Sequence, residues 1–126
     1  SSGATWNVDR LDGLEKTFCC FNATARDYAL VGQLILDTGL AQGKQIIPPV
    51  WNKRLATPIV KLDRDWGYGA QMWHPYPNTS MLLGLHGQHV LVVPETKSVI
   101  IKLSDDLTED NEGPVTDVMY NLATRS

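Results

Sequence analysis

The sequence has no apolar run near the ~20 residues that a membrane-spanning helix needs, and no charged-then-apolar leader at its start. It has no block of like charge either. Eleven Lys and Arg stand against 14 Asp and Glu, for a net charge of −3. That balance argues against nucleic acid and against an anionic membrane as partners. The densest acidic stretch, Asp105–Glu112, reads as a solvated loop. Only two cysteines occur, Cys19 and Cys20, and they are adjacent. Neighbouring cysteines rarely fit disulfide geometry, and two thiols without a Cys-x-x-Cys pattern make no structural zinc site. They read as two small buried hydrophobes. They leave the compartment open between cytoplasm and periplasm.

Several chemistries are excluded by missing motifs. There is no Gly-x-Ser-x-Gly elbow, no His-Glu-x-x-His, no P-loop and no Gly-x-Gly-x-x-Gly. The three histidines form no ligand set, since His86 and His89, three apart on a strand, point to opposite faces. No metal and no cofactor is implied. Ser80 and His86 suggest a nucleophile and base, but no acidic residue stands ready to orient the histidine.

What is present is a patterned α+β domain of single-domain length. Thr24-Ala-Arg-Asp27 has the form of a capping box, and a helix is expected from Ala25 to about Thr38, stopped by Gly39. Its polar stripe is narrow, so it should be buried on most sides. Gly43-Lys-Gln turns the chain, and Pro48-Pro49 suits a short helix to about Leu55. Gly67–Trp73 reads as extended and His74–Ser80 as a loop. Gln88–Val93 and Ser98–Leu103 form a hairpin that is apolar on both faces. A helix begun by Pro114 and carrying Val115, Val118, Met119 and Leu122 can cover one of those faces. The other face needs cover from elsewhere, and the chain is expected to associate if it stands alone. Two glycines beside this hairpin, Gly84 and Gly87, raise the question of what backbone or ligand comes close there.

The order of these segments resembles a known family. Asn22-Ala-Thr-Ala-Arg-Asp-Tyr-Ala-Leu-Val-Gly, then Gly43-Lys-Gln-Ile-Ile-Pro-Pro-Val-Trp51, is similar to serine β-lactamase-like hydrolases, the class C β-lactamases, esterases and penicillin-binding-protein relatives. Gly84-Leu-His-Gly-Gln followed by an apolar strand, Pro94 and Ser98-Val-Ile-Ile-Lys-Leu-Ser is closest to the 6-aminohexanoate oligomer hydrolases. The likeness runs from Ala4 to about Ser104. It implies a β-lactamase-like fold, an antiparallel sheet with flanking helices, of which residues 1–126 are one C-terminal segment. It also implies a parent that hydrolyses small-molecule esters or amides through an acyl-enzyme. In that family an edge strand opens on a Lys/His-Thr-Gly-like triplet, and the amide after its glycine supplies half of the oxyanion hole. Laid on this chain, Gly84 takes the glycine position and Leu85 is the backbone donor. Trp73, His86, Gly87 and Gln88 are the implied substrate-cleft residues.

The departures are specific. The family's Ser-x-x-Lys is absent from all 126 residues, and Tyr76-Pro-Asn78 falls in the wrong place to supply its catalytic tyrosine. The triplet reads Leu82-Leu83-Gly84, which argues against β-lactam recognition and suits an esterase or amidase. The implied partner is therefore an N-terminal half of the same protein, and a homo-oligomer stays open. Two other classes stay open as well: a non-catalytic binding or regulatory module on the same scaffold, and an unrelated α+β domain.

Overall fold

The structure, a computed structural model, describes residues 3–105 and 111–125. Most of the acidic stretch that follows Asp105 lies outside these residues.

The sheet is a meander. Strands β5 (Val60–Lys61), β6 (Gly67–Gly69), β7 (Met72–His74), β8 (Ser80–Leu83), β9 (His89–Val93) and β10 (Ser98–Lys102) follow one another. They lie in the spatial order β10-β9-β8-β7-β6-β5, with antiparallel neighbours throughout. The β9–β10 hairpin falls where the two β-branched runs place it, turned by a 3-10 segment at Pro94–Thr96 and a left-handed Lys97. The expected extended segment 67–73 is instead a tight hairpin. Ala70 and Gln71 both adopt positive φ (49° and 62°) and reverse the chain between β6 and β7. His74 and Ser80 belong to strands rather than to the loop between them.

Helix α1 (Ala25–Leu36) begins as its sequence requires. Thr24 accepts the Asp27 amide at its side chain, and its hydroxyl meets Asp27 Oδ2 at 2.7 Å. It ends where Gly39, at φ +84°, donates to the Leu34 carbonyl. The short α2 (Pro49–Leu55) starts on Pro48 as its N-cap. Helix α3 spans Glu112–Thr124.

Helices α1 and α3 both pack on β9 and β10. Gly32 sets α1 on the sheet, because a Cβ there would lie 2.4 Å from a Val99 methyl and 3.1 Å from one of Val90. On the other side Met119 of α3 joins Trp66, Met81, Leu91 and Val93 in the buried core, with Trp73, Leu83, Ile100 and Val115 around it. The hairpin is thus covered on both faces by this chain's own helices. The expectation that the second face needs foreign cover is corrected there. Nor is α1 buried on most sides. Gly32 is its one buried residue, while Leu30 and Val31 are exposed. On α3 the buried stripe runs through Thr116 and Met119, and Val118 and Leu122 face outward.

The N-terminal segment is a small annex. Strand β1 (Thr5–Trp6) pairs with β2 (Phe21–Asn22), and the Trp6, Phe21 and Tyr28 rings meet edge to face. Tyr28 Oη donates to the Phe21 carbonyl at 2.5 Å, which ties the annex to α1. Cys19 and Cys20 are joined in a vicinal disulfide, with Cys20 at φ +71°. The expectation of two free, buried thiols is wrong. Cys19 is half-buried and Cys20 exposed, at a tight turn where the left-handed Cys20 places the two sulfurs side by side.

Candidate active-site turn

Residues 84–88 form the turn between β8 and β9. The Gly84 amide donates to the Gln88 carbonyl at 2.8 Å, and the Gly87 amide to the Gly84 carbonyl at 3.1 Å. Gly87 sits at φ +74°, where glycine carries no steric penalty. Gly84 is needed for a different reason. A Cβ on it would fall 2.4 Å from Gln88 Oε1. The group that approaches the backbone here is the side chain of Gln88.

This placement corrects the expected edge strand. The sheet's outer strands are β10 and β5, and Leu82-Leu83-Gly84 closes β8 inside the order. The flank of β8 is nonetheless open past Met81. The register joining β7 to β8 is Trp73↔Met81, and beyond it Leu82 and Leu83 pair with β9. A strand interior can therefore present a bare side near its end.

Leu85 stands 70% exposed at the apex. Its neighbours' amides are engaged, Gly84 on the Gln88 carbonyl and His86 on Gln88 Oε1 at 3.1 Å. Among the described residues the Leu85 N–H has no acceptor. His86 is exposed in the turn, so the opposite-face argument for His86 and His89 does not apply. Trp73 is not brought to the turn. It stands opposite Met81, with its ring against Trp66 (6.0 Å between centroids) and Tyr68 (4.9 Å), at the margin of the core.

Behind the turn lies a cavity of about 300 Å³ lined by Gly87, His89, Lys102, Ser104, Asn111, Glu112 and Val115. Sequence reasoning missed His89 and Lys102, whose alternation within apolar strands gives no sign that both converge on one carbonyl. The Gly87 carbonyl accepts Lys102 Nζ at 2.9 Å and His89 Nδ1 at 3.1 Å. A carbonyl only accepts, so Nδ1 carries the proton. Nε2 is then a bare acceptor, buried without a partner among the described residues. Burial holds the His89 pKa below the ordinary histidine value. The hydrogen bond to Gly87 works upward, Lys102 adds to the lowering and Glu112 opposes it. The unfolded chain, with its histidine at the ordinary value of about 6.5, takes up a proton first as pH falls. Stability is therefore full above that value and is lost as pH drops from it toward the lowered folded value. The urea midpoint is expected to be lower at pH 5.5 than at pH 7.5, and His89→Gln should flatten the difference. An unchanged slope in that variant would remove His89 as its source.

Among the described residues no cluster of three or more His, Cys, Asp and Glu could hold a metal ion, and no helix is long and apolar enough to cross a membrane.

No family model matches the chain. It is similar to a 6-aminohexanoate-dimer hydrolase of Paenarthrobacter ureafaciens, 35% identical in an alignment 96 residues long that covers 66% of this chain and 24% of that protein. It is also similar to a solved Bacillus anthracis structure provisionally named a 6-aminohexanoate-dimer hydrolase. The TM-score there is 0.78 at 31% identity, over 95% of this chain and 33% of that one. The chain thus spans about a quarter of the curated relative and a third of the structural one. Its α+β architecture is that of the corresponding part of the hydrolase fold, and the relation to β-lactamase-like hydrolases stands on sequence and structure together.

Proposed function

We propose, from that relation, that this chain is the C-terminal part of a serine hydrolase that cleaves small-molecule amides or esters through an acyl-enzyme. Its own contribution is the Leu85 amide, one donor of the oxyanion hole. The observation that carries this reading is the Leu85 N–H, without an acceptor among the described residues, at the apex of a turn where the amides on either side of it, Gly84 and His86, are engaged. A general base in the N-terminal part takes the hydroxyl proton of a serine there, and its Oγ attacks the substrate carbonyl carbon. The C–O bond forms, the carbonyl π pair moves onto oxygen, and that oxyanion accepts the Leu85 N–H. Collapse breaks the bond to the amine or alcohol, which leaves with that proton from the base; water, deprotonated by the same base, then attacks the acyl-enzyme, and the serine Oγ leaves with the proton returned. A fixed donor aimed at developing charge needs no reorganisation during the step, and that is the source of its value. Gly84 leaves room for the Gln88 side chain, Gly87 supplies the positive φ of the turn, His86 and Gln88 border the donor, and Trp73 stands away from it on β7.

The partner in this reading is the rest of the same polypeptide. The exposed apolar residues Leu30, Val31, Val50, Trp51, Ile59 and Val60 suit contact with it. The test is the reading frame that encodes the chain, which is expected to carry Ser-x-x-Lys upstream of Ser1. Fluorophosphonate should label that serine in the complete polypeptide and leave the present chain unlabelled, because the Ser-x-x-Lys that supplies nucleophile and base in the resembled family does not occur in these 126 residues. Stoichiometric labelling of a serine within these 126 residues would overturn the reading. A frame without the tetrad would turn it to a binding module on the same scaffold.

A further inference from the structure

We infer that Gln88 is the positioning residue that aims the Leu85 amide, an assignment resting on the oxyanion reading above. Gln88 engages the amides on both sides of Leu85. Its main-chain carbonyl takes the Gly84 N–H at 2.8 Å, and its side-chain Oε1 takes the His86 N–H at 3.1 Å. The far end of the same side chain is anchored, since Nε2 donates to the Ser104 carbonyl at 2.8 Å, just past the end of β10. The two contacts fix the orientation of the amide group, because only its nitrogen can meet a carbonyl and only its oxygen an N–H. The side chain crosses Gly84 so closely that a Cβ there would force it aside, so Gly84 and Gln88 act as one unit. A second anchor holds the preceding residue, with Lys102 Nζ and His89 Nδ1 both on the Gly87 carbonyl. Two flanking amides tied to one residue, Gly84 to its main chain and His86 to its braced side chain, leave the middle one little freedom to rotate. It therefore points at one place in space, as a donor to a transient oxyanion must.

The tests are Gln88→Met, which keeps the bulk and removes both polar contacts, and Gly84→Ala, which pushes the Gln88 side chain aside. In the present chain, Gln88→Met should raise the exchange rate of the His86 amide by about tenfold or more. In the complete hydrolase it should lower kcat by roughly 10- to 100-fold with KM nearly unchanged, because a misplaced donor is lost mainly from the transition state. The kcat losses of Gln88→Met and Gly84→Ala should be non-additive, since both break the same unit. Additive losses, or a fall confined to stability with kcat intact, would overturn the inference. If Gln88→Met speeds His86 exchange but Gly84 variants leave kcat untouched, the oxyanion reading itself fails. If Gly84 variants lower kcat and Gln88→Met changes neither exchange nor rate, only the role of Gln88 fails.

Discussion

Gly84→Val is expected to lower turnover of the complete hydrolase by ~10²–10³, the usual loss for one oxyanion donor, and to leave the fold in place. The site of damage is local. The new Cβ would arrive 2.4 Å from Gln88 Oε1, and the two methyls would extend over the amide of the next residue. Gln88 must swing away, His86 loses its acceptor, and the Leu85 N–H no longer has a defined direction. The backbone itself tolerates a side chain, because Gly84 is not among the glycines at positive φ, unlike Gly87. Comparing kcat on a p-nitrophenyl ester with the urea midpoint of the same variant separates rate from folding. A loss of turnover below about threefold with the midpoint unchanged would remove Leu85 from the mechanism.

Leu91→Ala carries the largest expected cost in stability, about 2–5 kcal/mol. Leu91 is fully buried on β9, between Met81 and Ile100 in register, and it joins Trp66, Val93 and Met119 in the core. The surrounding strands are held by their ladders and the α3 side by its own packing, so little can collapse into the space left. Val118→Ala, on the outer face of the same α3, should stay within about 0.5 kcal/mol. Urea titration of both variants checks the contrast, and equal losses would mean that the core is not where the structure puts it.

Where the governing chemistry is local, the sequence was sufficient. Thr24, Asp27 and Gly39 mark the ends of α1 by hydrogen bonds within a few residues, and the β-branched runs of β9 and β10 declare themselves by type. Other features depend on groups distant in sequence or on unexpected backbone. The β6–β7 turn uses Ala70 and Gln71 at positive φ, residues that ordinarily signal no turn. The exposure of Leu30 and the seating of Gly32 follow from where α1 lands, which periodicity does not specify. In the candidate site the sequence marks Gly84 and Gln88, but as parts of a strand edge and a cleft wall. The bond between them needs only the β8–β9 turn, but the anchor on Ser104 and the meeting of Lys102 with His89 at the Gly87 carbonyl need β10 beside β9 before they exist. The pairing of Cys19 with Cys20 went against the statistics of neighbouring cysteines.

The meander has a kinetic consequence. Every strand of the six lies beside the strand next to it in the chain, so each pairing closes only a short loop and costs little chain entropy. Such a sheet can grow hairpin by hairpin from either end, as nearest-neighbour contacts favour fast assembly. Helix α1 is the exception. It comes before all six strands and docks on the last two, so its seating closes the longest loop among these contacts and waits for β9 and β10 to exist. Connectivity thus predicts an order of folding, testable by the effects of core and α1 substitutions on folding rates: the platform that carries the Gly84–Gln88 turn first, from its own neighbours, and the helix across its far face afterwards.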